Sequence, residues 1–168
     1  MASTYQTVTL AKRPKDNIVP GETFKLNKNN KAPVAADLKD GEVIFESNYL
    51  SVDPAMRGWL NDTRSYIPPV QIGEIMRGGA IGTIKASKDP NFPVGSYASG
   101  LVGWSELAVV KGKNLEKVHV PKGGRLTDSM AVLGKFLFYP ETLRNTRARD
   151  MLMIRDRNHW SYRLFWAA

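Results

Sequence analysis

The sequence predicts a mainly β domain with a few short helices, and three observations carry that reading. Runs rich in valine, isoleucine and aromatic residues recur at roughly 8–12-residue spacing, the pattern of a compact barrel or sandwich. Glycine, proline or lysine turns bound each run. A helix start is evident at one place, where Thr127-Asp128-Ser129 precedes Met130-Ala131-Val132-Leu133 and sets a hydroxyl and an acid where orphan amides need them.

Taken in order, residues 6–10 read as a short strand, ended by the polar, proline-containing segment Lys12-Arg13-Pro14-Lys15-Asp16-Asn17. Residues 20–40 read as loop-rich. Asp40-Gly41 marks a turn into residues 42–52, a β-branched and aromatic run too long for an edge hairpin and suited to a central strand. Residues 54–69 form a loop, because Pro68-Pro69 forbids a helix through that point. Gly78, Gly79 and Gly82 then fall within the apolar stretch around Ala80-Ile81 and Thr83-Ile84. Glycine at that density inside a strand predicts bends, bulges or another backbone close by. Further strands are expected at residues 96–98, 101–110 and 115–120.

The chain has 168 residues, 42% of them hydrophobic, which is enough for one domain with a core plus an appendage and too little for two full domains. The absence of cysteine excludes disulfides, thiolate nucleophiles and cysteine-rich zinc sites. His119 and His159 stand too far apart in sequence to suggest a metal site by themselves, so no zinc is expected. Neither a secretory signal nor an apolar run of about 20 residues is present, which predicts no membrane partner and, by default, a cytoplasmic protein.

Composition changes after Gly134. Residues 135–168 contain no glycine and hold six of the eleven arginines but one of the thirteen lysines. Folding physics gives little reason for so abrupt a change of cation, which points to a different coding history for this segment, or else to an ordinary basic tail. Its arginines interleave with Trp160, Tyr162, Phe165 and Trp166, a mixture used by single-stranded nucleic-acid binders. No recognised module frames it, so a frayed or partly helical tail is expected ahead of a nucleic-acid interface.

Three segments carry a family resemblance. Leu50-Ser51-Val52-Asp53-Pro54-Ala55-Met56-Arg57-Gly58 resembles the Leu-Ser-x-Asp-Pro-Tyr-Met-Arg segment of the leukotriene B4 dehydrogenase, prostaglandin reductase and alkenal double-bond reductase group. Ser65-Tyr66-Ile67-Pro68-Pro69-Val70, followed by Gly73-Glu74-Ile75-Met76-Arg77-Gly78-Gly79-Ala80-Ile81-Gly82, resembles the bacterial and fungal branch that includes curcumin reductase. Gly100-Leu101-Val102-Gly103-Trp104-Ser105-Glu106 resembles the group's Gly-x-x-Gly-Trp-x-Glu-Tyr turn. The match runs over about residues 5–134 and stops at Lys135.

The resemblance implies a GroES-like, partly open β-barrel over residues 1–126, the start of an interdomain helix over 127–134, and a non-family tail over 135–168. It implies the substrate side of a zinc-independent, NADP-dependent medium-chain reductase acting on the double bond of α,β-unsaturated carbonyls. Nucleotide grip in such enzymes needs a strand, a glycine-rich turn and a helix, and no Gly-x-Gly-x-x-Gly lies in these 168 residues. The Rossmann domain is therefore expected to be missing, with no tight NADP binding and no hydride transfer by this chain alone.

By resemblance, Tyr66 and Met76 lie on the substrate side, with the Tyr66 phenol able to donate to a developing enolate; the alternative is a half-buried loop tyrosine. Asp53, Pro54, Met56 and Arg57 fall on the nicotinamide-ribose side of the cleft in an intact enzyme. Ala55 departs from the family tyrosine, which removes an aromatic wall. Arg57 and Arg77 either guide an anionic ligand or are surface-paired. Trp104 is expected in the core with Glu106 as its solvent-facing neighbour, and His119 reads as a strand histidine. A second function class is a stand-alone β-barrel interaction module, self-associating through the uncovered interdomain face.

Overall fold

The computed structural model describes residues 4–63, 67–120, 122–131, 151–156 and 159–164. The chain begins with β1 (Thr4–Leu10), which pairs antiparallel with β2 (Phe24–Lys31) in a two-stranded ribbon. β2 lies inside the stretch expected to be loop-rich. Its sequence, FKLNKNNK, lacks the β-branched signature of a strand, and pairing with β1 overrides that local preference. Lysines at 25, 28 and 31 are exposed along it, a composition that discourages pairing with a further strand.

β3 (Glu42–Val52) is the central strand that its composition predicts. Val43, Ile44, Phe45, Ser47 and Leu50 are all buried, so both of its faces are covered. One edge pairs with β4 (Gly79–Ser87). The other edge is shared: β6 (Leu107–Lys111) takes residues 42–46 and β8 (Met151–Asp156) takes residues 49–52. β4 continues to β5 (Tyr97–Leu101) and β5 to β7 (Leu115–Lys117). Among the described residues this gives a seven-stranded sheet in the order β7-β5-β4-β3-β8-β9, with β6 beside β3. Isolated bridges from Thr7 to Ser105 and from Thr9 to Ile75 tie the ribbon to it.

Residues 101–110, expected to form one strand, divide into the end of β5, a turn at Gly103-Trp104, and β6. The division lets Trp104 enter the core, where its ring packs 5.2 Å from that of Phe24. The core gathers Leu10, Phe45, Leu50, Met76, Ile84 and Trp104 with their neighbours, and it sits where the ribbon meets β3 and β4. The helix start is observed as α1 (Asp128–Ala131), with Asp128 Oδ2 accepting the Arg125 amide at 2.8 Å. Where the tail was expected to be frayed or partly helical, its described residues are two antiparallel strands, β8 and β9 (His159–Leu164). The rest of that segment lies outside the described residues.

Candidate functional site

β3 ends at Val52, and the next residue starts a turn that its own side chain stabilises. Asp53 is extended (φ −127°, ψ 158°), and its Oδ1 accepts the Ala55 amide at 3.0 Å. This is the capping geometry that favours aspartate at a helix start, and Pro54 in the first turn has no amide to leave unpaired. A 3-10 turn follows over Pro54–Leu60. Its period points Pro54, Ala55 and Gly58 outward and buries Met56 (5% exposed) and Leu60 (1%).

Arg57 belongs to the same turn, and its guanidinium braces the protein. Nη1 donates to Asn61 Oδ1 at 2.6 Å, while Nη2 donates to the carbonyls of Asp16 at 2.8 Å and Pro14 at 3.3 Å. The turn is thereby joined to the segment that follows β1. A planar fork of donors suits such a multi-point contact.

Met76 is 1% exposed and sits in the core. Its amide donates to the Val8 carbonyl at 2.9 Å, and its carbonyl accepts the Trp104 amide at 2.8 Å. The side chains of Met56 and Trp104 converge over Gly78, where an added Cβ would lie 3.8 Å from the Met56 methyl and 2.6 Å from Trp104 Nε1. The core position expected of Trp104 is thus observed.

Glu106 differs from expectation. It is 7% exposed, and its Oε2 accepts the Gln6 amide at 2.7 Å. A backbone donor on β1 draws this carboxylate inward, which sequence spacing does not reveal. His119 is exposed, just beyond β7.

The structure brings Asp53, Pro54, Met56 and Arg57 together in one turn, and it joins Met76 to them through the core beneath Trp104. Tyr66 lies outside the described residues. Trp59, Arg13 and Arg77 also hold this region, and sequence reading had assigned no role to the first two. Nothing in their spacing could have shown it, because each acts on a backbone carbonyl or a ring that is distant in the chain. A groove of about 420 Å³ opens elsewhere, lined by Tyr5, Pro33, Glu46, Lys85 and Leu107 among others, and it shares no residue with the Asp53 turn.

The fit to a dinucleotide can be tested directly. Gly78, Gly79 and Gly82 lead into or lie within β4, and the space beside Gly82 is filled by the Glu46 carbonyl and the Phe45 ring. A strand backbone stands where a pyrophosphate cradle would need free amides at a helix start. The described residues therefore do not form that cradle. Among them no group of three histidine, aspartate or glutamate side chains could hold a metal ion, and no helix is long and apolar enough to cross a membrane.

With its open sheets and core in place, the chain belongs to the family described as the N-terminal domain of oxidoreductase, whose pattern matches residues 6–118. It is 37% identical over 109 residues to the NADPH-dependent curcumin reductase of Escherichia coli (strain K12), a match covering 65% of this chain and 30% of that protein. It is 35% identical over 81 residues to prostaglandin reductase 1 of Sus scrofa, covering 48% of this chain and 22% of that one. The crystal structure of CurA in complex with NADPH from Vibrio vulnificus is similar with a TM-score of 0.66 at 30% identity, over 76% of this chain and 36% of that one. The chain thus spans about a third or less of the length of these relatives. The GroES-like fold and the oxidoreductase family read from the three segments are both established.

Proposed function

We propose that residues 1–134 form the substrate-side domain of an NADP-dependent reductase acting on the carbon–carbon double bond of α,β-unsaturated carbonyls. The Asp53 turn carries this reading. One of the segments that resemble the double-bond reductases is folded into a wall of half-exposed Asp53 and exposed Pro54 and Ala55, backed by a buried methionine and braced by Arg57. Such a wall suits the acceptor and the nicotinamide side of a cleft, with the Tyr66 phenol donating a hydrogen bond to the oxygen of the enolate that forms as hydride reaches the β-carbon, before a proton is taken up at the α-carbon. Ala55 leaves more room there than the family tyrosine and favours bulkier substrates.

NADPH, when bound by an intact enzyme, supplies the hydride. The described residues form no pyrophosphate cradle, so a polypeptide of these 168 residues alone is expected to turn over no substrate. The test joins residues 1–134 to the nucleotide-binding domain of the Escherichia coli relative and measures NADPH consumption with alkenals and aryl enones. Turnover is expected in the joined protein, and Tyr66→Phe should lower kcat about 10²-fold, the scale of losing one hydrogen-bond donor to a developing oxyanion. A joined protein that binds NADPH and reduces no unsaturated carbonyl overturns the reading.

The exposure of Ile72 (62%) and Leu101 (60%) supports a second reading, self-association through an uncovered apolar face. Light scattering that shows a monomer at high concentration removes it.

A further inference from the structure

β3 is held unevenly along its length. Its first half lies between two neighbours, because β6 takes residues 42–46 and β4 takes residues 43–50. Pairing with β6 stops at Glu46, and pairing with β4 stops at Leu50. Ser51 and Val52 run on beyond both. Among the described residues their strand partner is β8, which sets Leu152 opposite Ser51 and Met151 opposite Val52. The Val52 side chain packs against the main core, but a backbone amide and carbonyl need partners of their own, and the ladder with β8 supplies them.

Asp53 comes next, and the turn that it opens takes its direction from those two residues. Asp53 is itself extended, and its side chain and carbonyl accept the amides of Ala55 at 3.0 Å and Met56 at 3.1 Å. The turn is thus a unit hung on the end of β3. A strand end without a partner frays, and a turn hung on it would fray with it.

β8 is backed in its turn by β9, in a register that runs from Met151 opposite Leu164 to Asp156 opposite His159. A two-stranded hairpin is marginal in water by itself, whereas a third strand gives it lasting order. β3 is that third strand, so the hairpin and the end of β3 order each other. The chain also arrives at the right place. Tyr49, in the same part of β3, clusters with Ile81, Val118, Val120 and Leu126, which brings the segment ahead of the tail alongside this strand end. Both hairpin strands lie beyond residues 6–118, the part matched by the family pattern.

We propose that the β8–β9 hairpin is a positioning element for the substrate wall: by pairing with Ser51 and Val52 it fixes the end of β3 in this chain and, through it, the Asp53 turn. The proposal rests on the reading of that turn as one wall of a substrate cleft. The hairpin acts through β3 and touches no substrate itself.

The test follows amide hydrogen exchange by NMR in the full 168-residue chain. Leu152→Pro puts proline into a strand that is paired on both edges, where it is not accommodated. In an antiparallel ladder one of Ser51 and Val52 turns its amide toward β8. That amide should exchange about tenfold faster in the variant, and the Ala55 and Met56 amides about threefold faster, because local opening sets the rate. The amides of Val43, Ile44 and Phe45, held between β4 and β6, should keep their wild-type rates. Leu152→Ile, which keeps the amide and favours a strand, should match the wild type throughout. Should Leu152→Pro fail to fold, Leu152→Gly, which weakens a strand and keeps its amide, should give effects of about twofold to fivefold at the same positions. Wild-type exchange at Ser51 and Val52 in a folded variant overturns the proposal, and so does a change confined to them that leaves Ala55 and Met56 untouched. A parallel arm titrates 4-phenyl-3-buten-2-one as an enone probe and follows the amide shifts of Asp53, Ala55 and Met56. A wild-type response that needs about fivefold more enone in Leu152→Pro supports both the positioning role and the enone reading, since a loosened wall binds less tightly. Equal responses in the two proteins overturn the positioning role. Faster exchange in Leu152→Pro with no enone response in the wild type supports the positioning role and overturns the enone reading alone.

Discussion

Gly82 and Glu46 approach so closely across the β3–β4 pair that a Cβ on Gly82 would overlap the Glu46 carbonyl oxygen, far inside van der Waals contact distance, and would stand 2.8 Å from Phe45 Cζ. The obstacle is a backbone atom of the central strand, held on its other edge by β6, and it cannot turn aside as a side chain would. Gly82→Ala should therefore destabilise the domain by about 2–4 kcal/mol, at the upper end of overpacking costs. Gly58→Ala, where an added Cβ meets nothing within 4 Å, should change stability by no more than about 0.5 kcal/mol. Urea denaturation of the two variants checks the contrast, and equal midpoints would contradict it.

Trp104 offers a second contrast. The indole is 7% exposed and packs on Phe24, yet its Nε1 has no hydrogen-bond partner among the described residues. Its contribution is therefore shape and area rather than a polar anchor. Trp104→Ala should cost about 3–5 kcal/mol, the range for removing a large buried aromatic. Trp104→Phe keeps a ring, loses no hydrogen bond and should cost about 1–2 kcal/mol. A phenylalanine variant as damaged as the alanine one would show that the indole nitrogen has a partner after all.

Residues whose fate depends on their own neighbours in sequence were legible. β3 reads as central because its apolar residues are continuous enough to cover two faces, and the Asp53 turn reads from Asp-Pro because capping is local. The glycines of β4 read as a site of close approach for the same reason. β2 did not, since a lysine- and asparagine-rich segment becomes a strand only through its partner β1. The burial of Glu106 was hidden similarly: its cause, the Gln6 amide, lies 100 residues away. Met56 and Met76 were picked out for chemistry by resemblance, and the structure places both side chains in the core. They can shape the site by packing beneath it, a role that sequence alone does not separate from direct contact.

Glu106, just ahead of β6, ties β1 to β3 at one point. Its carboxylate accepts the Gln6 amide at 2.7 Å, its own amide donates to the Gln6 carbonyl at 3.0 Å, and its carbonyl accepts the Ser47 amide at 2.9 Å. Glu106→Gln keeps a side-chain oxygen for the Gln6 amide and should cost about 1 kcal/mol, the loss of charge assistance. Glu106→Ala leaves that amide without its acceptor and should cost about 2–3 kcal/mol. Hydrogen exchange gives a local readout: the Gln6 amide should lose protection in the alanine variant well before the β3–β4 amides do.

Arg57 can be assigned between brace and ligand contact by one comparison. The guanidinium links the Pro54–Leu60 turn to the carbonyls of Pro14 and Asp16, contacts made within the domain itself, so its removal should be felt by the domain alone. Arg57→Ala should lower stability by about 1–2 kcal/mol, as expected for charged donors lost from partly exposed carbonyls. Arg57→Lys should recover less than half of it, because a single ammonium cannot span Asn61 and Asp16 together. Thermal unfolding of the 168-residue chain without nucleotide measures both values. If neither variant shifts the midpoint, the contacts to Pro14 and Asp16 do not hold the turn, and the side chain is available to a ligand in the intact enzyme.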